Sequence, residues 1–362
     1  MENVVDYYRY LHRHPEVSNQ EENTSRYIEN TLQAAGYTPQ RKGKYGVIAD
    51  LVTDDNLPWI VLRADMDALP VQENSCVAWP SENKGVMHAC GHDSHTAMLL
   101  AAAEKLQGRK LPQNVRFLFQ PAEEVTEGAR EMIEAGAMPQ NAKACFGAHV
   151  WPGVPFGKIA TRPGALMAFT DRIHIVVTGK SAHCGQQHNG INALTCALKI
   201  LNAFPTAQAL AQDARTVLFC GSLHSGDAHN VVAEKAEITG TLRTFLENDC
   251  LNIKAALEKA CRDAEKATGA KVELNWECSV PALNNDETLI QRMQTLFADM
   301  DTDIEATPVA EDFSLLEKQA PGVLVWLGLG DVPPLHNSAF YVPEEILPIG
   351  VNFWLTIANT QW

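Results

Sequence analysis

Between residues 86 and 98 the chain reads VMHACGHDSHTAM, which brings three histidines, a cysteine and an aspartate into one short stretch. Thiolate, imidazole and carboxylate are the groups that zinc takes as ligands, and its catalytic sites keep one position open for water. Four further segments carry donors of the same kind: Asp65 and Asp67 in VLRADMD, Glu123 and Glu124 in FLFQPAE, His149 in CFGAHVW and His336 in PPLHNSAF. Cys90, His92, Glu124, His149 and His336 form a mixed set that suits a metal. Five ligands exceed a single tetrahedral shell, so they point to two ions that share a bridging group, either the Cys90 thiolate or a water. Paired ions can clamp and activate a water for hydrolysis. That water needs a general base, and Glu123 can fill the role. Neighbours at a strand end face different ways, so one can bind metal while the other meets substrate.

These segments must be carried to one place by the fold. YGVIADLV, WIVLRADMD, VRFLFQPAE and ACFGAHVW read as strands, and HTAMLLAAAEKLQ and GAREMIEAGAM as helices between them. Alternating strands and helices predict an α/β domain around a mostly parallel sheet. In open sheets of that kind ligands bind beyond the carboxyl ends of the strands, which is where the donors fall. Near residue 171 the pattern changes to strand, helix, strand, strand, helix, strand, through DRIHIVVTG, GINALTCALKILNAF, TVLFCGSL, AEITGTLRTF, CLNIKAALEKACRDAEKATG and KVELNWECSV. That order predicts a ferredoxin-like α+β unit. The expected organisation is a catalytic, metal-binding domain of residues 1–170 and 284–362 with an inserted domain at 171–283.

Composition narrows the partners. The 362 residues carry a formal charge of −15, which argues against nucleic acid and anionic membranes. No run approaches the roughly 18 apolar residues of a spanning helix. MENVVDYYRYLHRHPEVS lacks the basic start and apolar stretch of a signal peptide. Nine cysteines, scattered and odd in number, fit reduced thiols, so a cytoplasmic location is expected.

RADMDALP, HACGHDSHTAM, QPAEE, GAHVWP, SAHCG, HNGINAL, ITGTLRTF, AEDF and LHNSAF occur here in an order that resembles the aminoacylase-like amidohydrolase branch of the dinuclear zinc metallopeptidases. That branch includes hippurate hydrolase, indoleacetyl-amino-acid hydrolase, N-acetyldiaminopimelate deacetylase and carboxypeptidase-like relatives. The resemblance implies a phosphorylase/hydrolase-like catalytic domain that holds two divalent ions per subunit, zinc foremost, with manganese, cobalt or nickel as options. It implies the same five ligands and Glu123 as base. It makes the insert a lid that also forms a homodimer, with His183 steadying an oxyanion and Asn230 and Arg243 binding a substrate carboxylate. An arginine fork suits that carboxylate. Asp65 and Asp93 would orient ligands from behind. Cys184 and Gln187 depart from the branch's pattern in the loop expected to touch substrate.

The expected activity is cleavage of the amide of an N-acyl amino acid or a short peptide-like amide. The alternatives are N-acetyldiaminopimelate deacetylation and dipeptidase or carboxypeptidase action. Two other classes compete. A thiol enzyme would use Cys90 with His92 as base, although residues two apart rarely align for that, and it leaves Glu124, His149 and His336 without a role. A non-catalytic binding protein would have no use for Glu123.

Overall fold

The computed structural model describes residues 2–362, apart from the side chains of Glu2 and Cys278, and divides into two compact units. The first comprises residues 2–166, 284–305 and 312–362. Its strands are β1 (Gln40–Lys42), β2 (Gly46–Leu51), β3 (Trp59–Asp65), β4 (Asn114–Gln120), β5 (Ala142–Pro152), β6 (Ile159–Ala160) and β7 (Gly322–Gly330), in the order β1-β2-β4-β3-β5-β7-β6. The four central strands β4, β3, β5 and β7 run parallel, and the others join antiparallel. Residues 60–65 of β3 and 322–329 of β7 are buried without a break. That is why the sequence shows apolar runs here instead of alternation: a parallel sheet is covered on both faces. The helix His92–Leu106 is buried on nearly every side and follows the loop that holds Cys90. Each of its leucines contributes about 1.5–3 kcal/mol by leaving water.

The second unit comprises residues 167–283 and 306–311. Its four-stranded antiparallel sheet has the order Lys271–Val280, Phe169–Thr178, Lys235–Thr244, Val217–Ser225. Ile173, Ile175, Val177, Ala236, Ile238 and Leu242 point to one face and form a core with the helices Ala193–Leu201 and Glu247–Thr268. On the long helix Cys250, Ile253, Leu257, Cys261 and Ala264 supply the buried stripe at helical spacing. The sequential order is the ferredoxin-like one. Residues 306–311 pack in this unit through backbone bonds, Ala168 N–H donating to Val309 O at 3.0 Å. No sequence periodicity reports such a contact.

Candidate metal centre

Constrained backbone flanks several of the five proposed ligands. Gly91, just before His92, has φ +87°, and a Cβ there would lie 2.5 Å from Val150 Cγ2, so glycine is required by conformation and by space. Ala122, in the turn that carries Glu123 and Glu124 away from β4, has φ +52°, and Glu21 Oε1 accepts its N–H at 2.7 Å. Gly128 closes that turn so tightly that a Cβ would fall 1.6 Å from Pro121 O. His336 has φ +65°, and its N–H donates to Ala89 O at 2.8 Å, next to Cys90. Left-handed backbone at alanine or histidine costs of order 1–3 kcal/mol and persists only where the surroundings enforce it.

The donor atoms converge. Cys90 Sγ lies 3.4 Å from His149 Nε2. Glu124 Oε1 lies 3.3 Å from His336 Nε2. His92 Nε2 is 4.0 Å from Glu123 Oε2 and 4.0 Å from Glu124 Oε1. Ligand atoms lie within 4.8 Å of one another in the sets Cys90–His92–His149, Cys90–Glu124–His336 and His92–Glu123–Glu124, so Cys90 is common to the first two.

Hydrogen bonding decides which ring nitrogens can bind. His92 Nδ1 lies 3.0 Å from the Asp67 carbonyl and 3.1 Å from its carboxylate. A carbonyl only accepts, so Nδ1 carries the proton. Nε2 of His92 is buried and has no hydrogen-bond partner among the described residues. A buried nitrogen left without a partner is costly, and a cation would engage it. Ser18 and the Glu124 N–H hold the other Asp67 oxygen, at 2.7 and 3.1 Å.

Charge points the same way. Burial alone would lower the His92 pKa, but Asp65, Asp67 and Glu124 outweigh it and raise it to about 10. Burial, then Glu124, Glu123 and Asp65, push the Cys90 thiol well above its ordinary value. Burial drives His149 well below the usual imidazole range. Asp65, Asp67, Glu123 and Glu124 gather negative charge around these donors, and divalent cations would neutralise it. The residues present fit such ions.

A model of the peptidase family M20/M25/M40 matches residues 61–360. The chain belongs to that family. It is 34% identical to the N-acetylcysteine deacetylase of Bacillus subtilis (strain 168), over 98% of this chain and 96% of the relative. It is 37% identical to an N-acyl-L-amino acid amidohydrolase of Geobacillus stearothermophilus, over 78% of each. Among solved structures it resembles the Bacillus subtilis YXEP protein, described as a dinuclear metal binding peptidase of the M20 family. The TM-score is 0.86 at 32% identity, covering 99% of this chain and 97% of that one. As an M20 member the chain is a hydrolase.

In this M20 chain Asp65 and Asp93 have different neighbours. Asp65 accepts from His95 Nδ1 and Arg63 Nη1, each at 2.6 Å. Asp93 lies 2.6 Å from His12 Nδ1, whose Nε2 is 3.1 Å from Glu73. His183, Asn230 and Arg243 belong to the second unit. His183 Nδ1 accepts the Gly185 N–H at 3.1 Å, which leaves its proton on Nε2 and available to donate. Asn230 is exposed, and its carbonyl accepts the Cys184 N–H at 2.9 Å, beside the His183–Val231 bridge. Arg243 is half-buried and donates to Thr170 Oγ1. Sequence reasoning missed Arg63, Gln120 and Glu21, all buried in the first unit. One signal was present: an arginine inside the apolar run of β3 must find buried partners.

Proposed function

We propose that this hydrolase cleaves the amide bond of N-acyl amino acids, releasing a carboxylic acid and an amino acid. The observation that carries the reading is the pair of overlapping ligand sets that share Cys90, with Glu123 beside them. Cys90, His92 and His149 would hold one divalent ion, and Cys90, Glu124 and His336 the other. Bound there, such ions supply Lewis acidity to the scissile carbonyl and make water acidic enough to deprotonate near neutral pH. The thiolate and imidazole donors suit zinc, and manganese, cobalt and nickel are compatible.

The chain's own residues do the rest. Glu123 takes a proton from the attacking water and passes it to the departing amine. His183 donates from Nε2 to the oxygen that gains charge. Arg243 and Asn230 bind the substrate's carboxylate. The second unit serves as the lid and the dimer contact. Its sheet ends in the free edge Val217–Ser225, where Phe219 is 59% exposed, a surface a second copy would cover. The scattered cysteines, free of disulfides among the described residues, support a cytoplasmic location. No helix among the described residues is long and apolar enough to cross a membrane.

The 3.4 Å contact between Cys90 and His149 would also suit a thiol nucleophile. Burial keeps that pair neutral, however, raising the thiol and lowering the imidazole. The test is a panel of N-acyl amino acids, dipeptides and N-acetyldiaminopimelate offered to apo-protein reloaded with single metals. Release of free amine from N-acyl amino acids, lost on chelation and restored by metal, is expected. Activity that survives chelation and dies with a thiol alkylator would replace the reading with a thiol enzyme. Preferred cleavage of dipeptides would replace the substrate class.

A further inference from the structure

Strand β5 pairs with β3 only as far as Arg63–Gly147, while its ladder to β7 continues to Pro152. Past Gly147 histidine rings take up the Val150 peptide. Its N–H donates to His95 Nε2 at 2.9 Å, and its carbonyl accepts from His149 Nδ1 at 2.7 Å. These two bonds fix both tautomers. A carbonyl cannot donate, so His149 carries its proton on Nδ1 and turns the lone pair of Nε2 toward Cys90 Sγ, 3.4 Å away. An amide N–H cannot accept, so His95 carries its proton on Nδ1 and gives it to Asp65 Oδ1 at 2.6 Å.

The chain of contacts ends in a rigid anchor. Asp65 Oδ2 accepts from Arg63 at 2.6 Å, and the same guanidinium reaches Asp312 at 3.1 Å and Gln120 at 2.9 Å. Arg63, Asp65, His95, Gln120 and Asp312 are all buried. The bonds at the start of the helix are made by other groups, Ser94 and the backbone, so His95 is not needed as a cap.

We infer that His95 is a positioning residue: by gripping the Val150 peptide it sets the tautomer and aim of His149, and through them the cation affinity of the Cys90–His92–His149 set. The inference rests on the ligand assignment proposed above. The Asp65–His95 pair thus acts on the centre through the Val150 peptide and through the His95 ring, whose centroid lies 4.6 Å from that of His149. Outer partners of metal-binding histidines are typically worth 10–100-fold in affinity.

Two measurements test it. In the metal-free wild type, ¹⁵N shifts of the ring nitrogens should show the Nδ1–H tautomer for both His95 and His149; an Nε2–H tautomer at either ring overturns the inference, whether or not any variant folds. In the second, His95→Asn keeps a donor for Asp65 and loses the acceptor for Val150, whereas His95→Gln keeps the acceptor. Cobalt(II) and zinc affinities by chelator competition, with the cobalt–thiolate absorption of Cys90, are compared with apo-protein melting temperatures. His95→Asn should weaken one cation roughly 10–100-fold and shift the cobalt spectrum, with His95→Gln nearer the wild type at a similar melting temperature. Losses that follow melting temperature in both variants, or unchanged affinity in His95→Asn, overturn the inference. His149→Ala is the control for the parent reading: if it binds cations as the wild type does, the ligand assignment has failed and this inference falls with it. If it loses a cation that His95→Asn retains at full affinity, only the His95 role has failed.

Discussion

In the first unit His92 and His149 each commit Nδ1 to an oxygen, of Asp67 and of Val150, and both rings are buried. In the second unit His183 is exposed, its ring held only by the Gly185 amide in the contacts described, and Asn230 is exposed as well. The difference separates two kinds of work. Cation ligands gain from being held in place before anything binds, because each misaimed donor costs affinity. Groups that meet a substrate must admit it first, and ordering each of them on binding costs about 0.5–1.5 kcal/mol. Even within the proposed metal set, His336 is the outlier: its side chain is 53% exposed, and its position is enforced by a left-handed backbone instead of a ring hydrogen bond.

The largest effect expected on the buried side belongs to Glu123. Glu123→Gln removes the base and keeps the shape, so turnover should fall by about 10²–10⁴-fold while metal content and substrate affinity stay near those of the wild type. Single-turnover hydrolysis alongside metal analysis checks this. Near-normal turnover would break the contrast, since the buried half would then hold ions without supplying the proton transfer.

How far this contrast could be read from sequence differs between the two halves. Donors at the ends of β3 and β4, and on β5 just past its pairing with β3, were legible because parallel strands read as apolar runs with polar residues near where they stop. The strand–helix order of the second unit was legible for the same kind of reason, period and alternation. The support behind the ligands was not. Asp312 meets Arg63 across 249 positions, and His12 meets Asp93 across 81, and neither pairing leaves a local pattern. For His95 the sequence allows a role behind the metal ligands or toward substrate as well as a helix cap, because nothing in HDSHTAM says that its Nε2 will face the amide of Val150. Residues 306–311 join the second unit by backbone contacts such as Ala168 N–H to Val309 O, which residue types do not encode.

A second prediction asks whether the buried half also sets stability. His12 bridges Asp93 and Glu73. Burial alone would lower its pKa, but those two carboxylates outweigh burial and raise it to about 9. A group whose folded value lies above its unfolded value of about 6.5 stabilises fully below that pH and loses the contribution as pH rises through its folded value. Metal-free protein should therefore lose about 3 kcal/mol of unfolding free energy between about pH 6.5 and pH 9.5. Urea titrations of wild type and His12→Asn at the two pH values measure it as their difference, because the raised His92 pKa is common to both. Equal pH dependence in wild type and His12→Asn would remove His12 as the cause.

The smallest effect, and the one that most sharpens the comparison, lies at Arg243. Its guanidinium is half-buried, burial lowers its pKa, and no ion pair to it is found among the described residues. A partly desolvated cation bonded only to a hydroxyl leaves room for a carboxylate, and hydrogen bonds to charged groups are worth about 1.5–3 kcal/mol. Arg243→Ala should raise KM for N-acyl amino acids roughly 10–100-fold, with far less effect on the corresponding amides, whose carboxylate is masked. Arg243→Lys should recover little of the loss, because an ammonium cannot reproduce a two-pronged contact. If amides and acids lose equally, Arg243 shapes the sheet instead of binding the substrate, and the exposed half of the proposed machinery would rest on His183 and Asn230 alone.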